Sequence, residues 1–322
     1  MKFIALISFL LFALPLQANS IKLAATPFET YVSNEGEPSR LTQLIQSAFS
    51  RMEIDVEFDV MRDAFLGSAM RSGKIDGNFA FIDLGQKKDT ILLSSPYLPL
   101  YLYAAGKDEQ VDNIKLIPHL KNSRVAIENR FANTPVFRQL KEIKWSRNPT
   151  SYDAFKQLAD DRAPYLITSK LLIDAFNVLL KNDNEELLHY SAAPLVTTGF
   201  SLALRNETPD AQNIIKQFER TIATMQQDGS YNKILAIPWL TNDVNNDGIA
   251  DYIGASGITS QQDALKDAYP LSNALPSADS VFVIDGVIYS SKQDALKQLS
   301  PSAYPQQSVL DLGVYQTMIK RW

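Results

Sequence analysis

Apolar and polar positions recur with strand and helix periods through the first third of the chain. Residues 21–25 are an apolar run that predicts a strand, and residues 39–52 place apolar side chains at helical spacing behind a serine cap. Residues 55–60 alternate as a strand, 64–71 are helical, and 75–82 form a third strand. Strand, helix, strand, helix, strand is the order of a mostly parallel α/β unit.

The pattern then predicts a second α/β unit, after which the chain returns to the first one. A strand over 98–104 leads into the second unit, and the unit itself shows strands over 123–128 and 164–168 and helices around 134–143, 151–158 and 170–180. After it, residues 198–205 predict a strand with a basic end, and 211–227 predict a long amphipathic helix.

Length and composition describe a globular protein of more than one domain. The 322 residues are long enough for two domains and a small third one. The net charge of −5 indicates neither nucleic acid nor an anionic membrane as a partner. The absence of cysteine excludes disulfides, thiolate catalysis, thiolate metal sites and a lipidated N-terminal cysteine, and it fits a bacterial periplasm.

Residues 1–20 have the layout of a cleavable secretory signal. A basic second residue precedes an apolar run over 3–14, and Pro15 and small residues follow, with cleavage expected after Ala18 or Ser20. An N-terminal membrane anchor is the alternative, but the run is shorter than the ~20 residues that a bilayer span needs. We therefore expect a soluble periplasmic protein.

The segment 73–97 carries the most recognisable motif. It reads as a turn, a strand, a charged loop and a second apolar run, and ligands of open α/β sheets sit at such strand ends. It resembles the family 3 periplasmic solute-binding proteins, the substrate-binding proteins of amino-acid-type ABC transporters. The positions that match that family are Gly73, Lys74, Ile75, Asp76, Ser94, Pro96 and Tyr97.

Three further motifs extend the resemblance over residues 21–239. They are the strand end Thr26-Pro27-Phe28, the glycine-aromatic strand that starts at Gly199, and the turn Asp228-Gly229-Ser230-Tyr231. The resemblance implies an α/β fold of two lobes joined by a hinge. Lobe one would comprise 21–104 and 199–239, lobe two 105–198, and a C-terminal α+β appendage 240–322.

The family likeness also implies a function. Members close two lobes around a small ligand, and an ABC importer or a membrane sensor reads the closed form. We expect a monomer that captures a small polar ligand for such a partner, with no nucleic-acid partner and no membrane insertion after signal cleavage.

The residues that bind free amino acids in the family are altered here. The position of its carboxylate-binding arginine falls on Lys88, which keeps the charge but loses the bidentate geometry. The glycine-containing anion turn of lobe two falls on 129–134, which has no glycine, and the ammonium-binding aspartate falls on Ser169. These changes argue against a standard free α-amino acid as the ligand.

Six residues remain as candidates for the cleft. Arg130 is a candidate replacement for the missing anion site from lobe two, and aromatic faces are suited to a flat or cationic group. Lys88 and Arg130 are equally explained as ordinary surface charges. The predicted ligand-binding residues are Phe28, Phe81, Asp83, Lys88, Arg130 and Ser169.

No catalytic motif is present. His119 and His189 stand alone among apolar neighbours, without metal spacing. We therefore predict that the protein is not an enzyme. A dehydratase-like enzyme on the same fold and a protein-interaction module with a degenerate cleft are the alternatives.

The C-terminal region contains a calcium-loop-like motif. Asp243, Asn245, Asp247 and Asp251 occupy positions 1, 3, 5 and 9 of such a loop, and the Ile249 carbonyl occupies position 7. The glutamate of position 12 is replaced by glycine. The motif predicts a structural calcium ion, with an Asx-rich turn as the alternative.

An internal repeat follows the loop. Residues 253–266 align with 284–297 at an offset of 31. Each copy predicts a strand or hairpin, a serine cap and a short helix, and two copies would pack into one small α+β unit.

Overall fold

The computed structural model describes residues 20–33, 39–305, 307–318 and 322. The predicted signal segment, except for Ser20, lies outside the described residues. Among the helices that are described, none combines the length and the apolar character that crossing a membrane requires.

Lobe one is built on parallel strands joined by helices, as the sequence predicts. Its elements are β1 (Ile21–Ala25), α1 (Arg40–Arg51), β2 (Val56–Val60), α2 (Asp63–Arg71), β3 (Gly77–Ile82) and β4 (Ile91–Leu93). β1 pairs in parallel with β2 on one side and with β3 on the other.

Lobe two repeats this plan with different strands. The elements of this lobe, together with the two strands β5 and β10 that flank it, are β5 (Leu98–Gly106), β6 (Arg124–Glu128), α3 (Asn129–Ala132), α4 (Pro135–Arg138), β7 (Lys144–Asn148), α5 (Ser151–Ala159), β8 (Tyr165–Ser169), α6 (Lys170–Asn182), β9 (His189–Tyr190) and β10 (Val196–Arg205). β6 pairs in parallel with β7 and β8.

The long strands β5 and β10 connect the lobes. They pair antiparallel with each other, from Val196 opposite Leu102 to Phe200 opposite Leu98. β10 continues beside β3 in lobe one, and β5 continues beside β8 in lobe two. Within the described residues, the resulting sheet has ten strands in the order β2-β1-β3-β10-β5-β8-β6-β7, with β4 beside β10 and β9 beside β5.

Helical periodicity translates directly into burial in this fold. The apolar positions of α1 that the sequence places on one face are all buried: Leu41, Leu44, Ile45, Ala48 and Phe49. Full burial of a leucine, isoleucine or phenylalanine side chain contributes about 1.5–3 kcal/mol. α7 (Ala211–Gln227) buries its apolar face in the same way, and α8 (Ser230–Leu235) follows the turn at Gly229.

Lobe two differs from the prediction in the segment between β6 and α5. The helix expected over 134–143 is only α4, and the strand β7 follows it unpredicted. β7 lies at the edge of the sheet and has the sequence Lys-Trp-Ser-Arg-Asn, so its pairing with β6 outweighs a weak strand pattern.

A second, five-stranded sheet is present in the described part of the C-terminal region. The elements of this region are β11 (Trp239–Asn242), β12 (Asp251–Gly254), β13 (Tyr269–Pro270), β14 (Phe282–Ile284), β15 (Val287–Tyr289), α9 (Lys292–Leu296) and α10 (Leu312–Met318). The strand order of the sheet is β13-β11-β12-β14-β15. The α+β appendage is therefore confirmed.

The two sequence repeats fold differently. The second copy forms the hairpin β14–β15 and the helix α9. The first copy contains β12, but its helix-like segment yields only a 3-10 turn, Leu265–Asp267. The prediction of two equivalent units was wrong, because the first copy lies where the chain must turn back into β13 beside β11.

Candidate functional site

The candidate site lies where strands of both lobes end. β1, β3, β6 and β8 deliver their carboxyl ends to the junction of the lobes, where open α/β sheets bind ligands. After β1 the chain makes a tight turn in which the Phe28 and Val32 amides and carbonyls bond reciprocally at 2.9 and 2.8 Å. The turn projects Phe28, Glu29 and Tyr31 from lobe one.

An interlobe aromatic cluster fills the centre of the junction. Phe28 packs on Tyr31, Phe200 and Phe131 with ring centroids 4.9, 5.6 and 6.1 Å apart. Each of the four rings is at most 1% exposed. Phe131 comes from lobe two and the others from lobe one or the connecting strand, so closure of the lobes buries this cluster.

Arg130 joins the lobes through its guanidinium group. Its Nη2 donates to the Pro27 carbonyl oxygen at 2.6 Å, and its Nε donates to Glu128 Oε2 at 2.9 Å. Its Cζ lies 3.7 Å from the centroid of the Phe28 ring. A planar guanidinium suits this position because it stacks on an aromatic face while its edge forms hydrogen bonds.

Ser151 links two carboxylates, one from each lobe. Glu29 Oε2 accepts hydrogen bonds from the Ser151 backbone amide at 3.2 Å and from its hydroxyl at 2.8 Å. The same hydroxyl lies 2.8 Å from Glu128 Oε1. Ser151 opens α5, where amide groups point outward and the helix dipole favours a negative charge.

This arrangement calls for a bound proton. A hydroxyl group has one hydrogen, so it can donate to only one of the two carboxylates. Ser151 therefore hydrogen-bonds to both groups when one of them is protonated and donates to the hydroxyl oxygen. Burial raises the pKa of Glu128, with Arg130 opposing that shift and the charge of Glu29 adding to it. Glu128 is 1% exposed, and this burial favours the protonated form of its carboxyl group.

The remaining predicted residues separate into two places. Phe81 is half-buried near the end of β3. Beyond it, Lys88 and Asp83 form an ion pair at the surface, and the Asp83 carbonyl accepts a hydrogen bond from Thr198. Ser169 is fully buried, caps α6 through the Leu172 amide and lies close to Tyr31.

The structure thus brings Phe28 and Arg130 together, and it pairs Lys88 with Asp83. Sequence reasoning missed Glu29, Tyr31, Glu128, Phe131, Ser151 and Phe200. Two signals were available: Glu128 ends a predicted strand, and Thr150-Ser151 begins a predicted helix. The contact of Ser151 with Glu29 across the lobes had no sequence signal.

The loop between β11 and β12 carries the predicted calcium residues. Asp243 accepts hydrogen bonds from the Asp247 and Gly248 amides at 3.1 and 2.9 Å. Asp251 is buried and accepts from the Val244 and Val281 amides. In the described part of the chain, no three acidic or histidine side chains converge as a metal site. The carboxylates of Asp243 and Asp251 accept hydrogen bonds from backbone amides, and a bound calcium ion in this loop stays a prediction.

Comparison with known proteins identifies the fold. No protein-family model matches the chain, and no curated protein matches its sequence. Among solved structures, the GluR0 ligand-binding core in complex with L-glutamate matches with a TM-score of 0.56 at 10% identity, over 68% of this chain and 97% of that one. A mutant of ArgBP from T. maritima matches with a TM-score of 0.53 at 17% identity, over 67% and 93%.

A histidine kinase sensor domain described as similar to periplasmic binding proteins matches with a TM-score of 0.51 at 17% identity, over 68% of this chain and 95% of that one. At these identities the likeness concerns the fold. It covers about the part of the chain for which the sequence resembles the family 3 proteins. This chain therefore has the two-lobed fold of the periplasmic binding proteins.

Proposed function

We propose that this protein is an extracytoplasmic solute-binding protein. It captures a small polar ligand between its lobes and presents the closed form to an ABC importer or a membrane sensor. The predicted signal segment supports a periplasmic location. The neighbouring folds include a substrate-binding protein and a sensor domain, which supports both kinds of partner.

One observation carries the proposal. Arg130 of lobe two reaches the Pro27 carbonyl and the Phe28 ring of lobe one, so the groups that recognise one another on closure lie at strand ends beside the hinge. Separating the lobes would uncover a guanidinium, two carboxyl groups, a serine and aromatic faces. Such a surface suits a ligand that carries both a flat or apolar part and a polar group.

A protein-interaction module with a self-filled cleft is the second candidate. Its support is that Phe28, Phe131 and Phe200 already fill the junction with side chains of the chain itself. In that case the closed body would act as a rigid surface for a protein partner, and the cleft would take no small ligand.

A ligand-library thermal-shift screen on the mature protein tests the first candidate against the second. We expect at least one small polar compound to raise Tm in the wild type and to lose its effect in Arg130→Ala. The matched control is Arg124→Ala, on an exposed residue of the strand that precedes Arg130. If no compound stabilises the wild type while a membrane partner still binds it, the second candidate is supported and the first is rejected.

A further inference from the structure

The C-terminal region is attached to lobe one first. Asn232 of α8 is fully buried, and its Nδ2 lies 3.1, 3.3 and 3.2 Å from the carbonyl oxygens of Ile237, Pro238 and Ile253. Lys233 also pairs with Asp285 at 2.8 Å. These contacts fix the second sheet against α8, so the appendage moves with lobe one.

The same region then binds a connecting strand. The Tyr269 hydroxyl donates to the Pro99 carbonyl oxygen at 2.6 Å, and the Tyr101 hydroxyl donates to the Pro270 carbonyl oxygen at 2.9 Å. The two tyrosine rings pack edge to face, with centroids 5.6 Å apart. Pro99 and Tyr101 lie on β5 where it pairs with β10, so this reciprocal contact lies on the hinge itself.

The end of the chain reaches lobe two through polar contacts. The Ser308 hydroxyl donates to the Ala175 carbonyl oxygen of α6 at 2.8 Å. The Asp311 amide donates to the Tyr152 hydroxyl of α5 at 2.6 Å. Tyr152 directly follows Ser151, which contacts Glu29 of lobe one, so the chain end binds the helix that forms the interlobe link.

Aromatic packing reinforces this attachment. Tyr315 of α10 is fully buried beside Phe155 of α5. Trp322 stacks on Phe155 at 5.2 Å with an interplanar angle of 8°, and its Nε1 donates to the Glu186 carbonyl oxygen. Phe155 stacks in turn on Phe176 at 4.0 Å, so the chain end completes an aromatic stack within lobe two.

We propose that residues 269–270, 307–318 and 322 form a C-terminal strap that holds the two lobes closed. The strap is anchored to lobe one through the second sheet, to the hinge through Tyr269, and to lobe two through Tyr315 and Trp322. Hinge rotation changes the separation of the first and last anchors, so the cleft opens fully only when the chain end leaves lobe two.

The strap controls the opening of the cleft that the proposed function uses. This inference rests on the proposed function only in taking the opened cleft as the route by which ligands enter. A tail that merely stabilised lobe one would need no contact with α5, α6 and β5. Because the strap stabilises one arrangement of the lobes, its release shifts the population toward the open form without any ligand.

Interlobe distance measurements test the strap on the full mature chain. The sequence has no cysteine, so a double variant with Gln43→Cys on α1 and Lys144→Cys on β7 is spin-labelled only at these two exposed positions. The distance distribution is compared for the wild-type background, Trp322→Leu and Tyr269→Phe. Tyr289→Phe is the matched control, because Tyr289 lies in the same sheet and packs within the appendage.

We expect one narrow distance in the wild type and in Tyr289→Phe. In Trp322→Leu we expect a longer-distance population enriched about tenfold, with a smaller enrichment in Tyr269→Phe. Tyr269→Phe removes only an oxygen atom, so it remains informative if Trp322→Leu fails to fold. Unchanged distributions in all folded variants would overturn the strap.

The two proposals fail in different ways. If ligands close or stabilise the protein while strap variants leave the distance unchanged, the strap is wrong and the solute-binding function stands. If strap variants open the lobes and no compound ever stabilises the protein, the strap stands and the solute-binding function is wrong.

Discussion

The guanidinium carbon of Arg130 lies 3.7 Å from the centroid of the Phe28 ring, and these two residues belong to different lobes. The stack is sheltered, since the Phe28 side chain is 1% exposed and that of Arg130 is 20% exposed. A cation over an aromatic face gains attraction as water is removed from the contact. This pair therefore stabilises the closed arrangement of the lobes.

Arg130→Lys tests this dependence. Lysine keeps the charge but loses the planar stacking and the fork that reaches Pro27 and Glu128, so we expect a loss of about 1–2 kcal/mol in the free energy of unfolding. Urea unfolding measures it. Arg124→Lys, at an exposed position of β6, should change stability by less than about 0.5 kcal/mol. Equal effects at both positions would contradict the interlobe role of Arg130.

Ser151→Ala tests the link between the carboxyl groups. The hydroxyl is buried, and its removal leaves Glu128 Oε1 and Glu29 Oε2 with one hydrogen-bond partner fewer each. We expect a loss of about 1–3 kcal/mol in the free energy of unfolding. The control is Ser68→Ala on the exposed face of α2, where we expect a change within about 0.5 kcal/mol. A neutral Ser151→Ala would show that the link does not stabilise the fold.

The raised pKa of Glu128 predicts a pH-dependent stability. The groups that face it are Glu29 from the β1 turn, Arg130 from α3 and Ser151 from α5. Because burial raises its pKa above the ordinary value of 4.5, the folded state keeps the proton where the unfolded chain has lost it. The contribution of this group to stability therefore falls as the pH rises from the unfolded pKa through the folded pKa.

Glu128→Gln removes this titration while keeping the shape of the side chain. We expect the Tm of the variant relative to wild type to be higher at about pH 8 than at about pH 4, as measured by differential scanning calorimetry. Glu142→Gln, at an exposed glutamate of the same lobe, serves as the control and should show no such trend. A Tm difference for Glu128→Gln that is independent of pH would contradict the raised pKa.

The calcium prediction is tested in the loop between β11 and β12. If the loop binds calcium, about 1 mM Ca²⁺ should raise the Tm of the wild type, and Asp247→Ala should abolish the shift because it removes the position 5 ligand. Asp112→Ala, on an exposed acidic residue of lobe two, should leave the shift intact. The absence of a calcium-dependent shift in the wild type would favour the Asx-rich turn.

Local signals were sufficient for most of the secondary structure. α7 begins and ends as the amphipathic pattern predicts, and β1 coincides with its apolar run. β7 was missed because an edge strand with alternating polar residues carries little signal without its partner β6. The helix predicted for the first repeat copy was wrong for a similar reason. The sequence Gln-Asp-Ala-Leu belongs to α9 in the second copy, but in the first copy it forms no α-helix and leads into the 3-10 turn Leu265–Asp267.

The candidate site was predictable only in part. Phe28 and Arg130 were candidates because of their positions after strands, and the structure joins them. Glu29 and Ser151 are 122 residues apart in the chain, and their contact exists only because two separate α/β units close on each other. Hydrophobic periodicity records which face of an element is buried, but it does not record which polar groups meet across a closed junction.

The sequence by itself determined the α/β character of both lobes, the return of the chain through β10 and the presence of an appendage, because each depends on local periodicity and on the order of elements. Only the tertiary structure decided that the chain's own aromatic rings fill the cleft and that Trp322 returns to Phe155. These contacts depend on where distant segments meet in space, and residue spacing along one chain carries no measure of that distance.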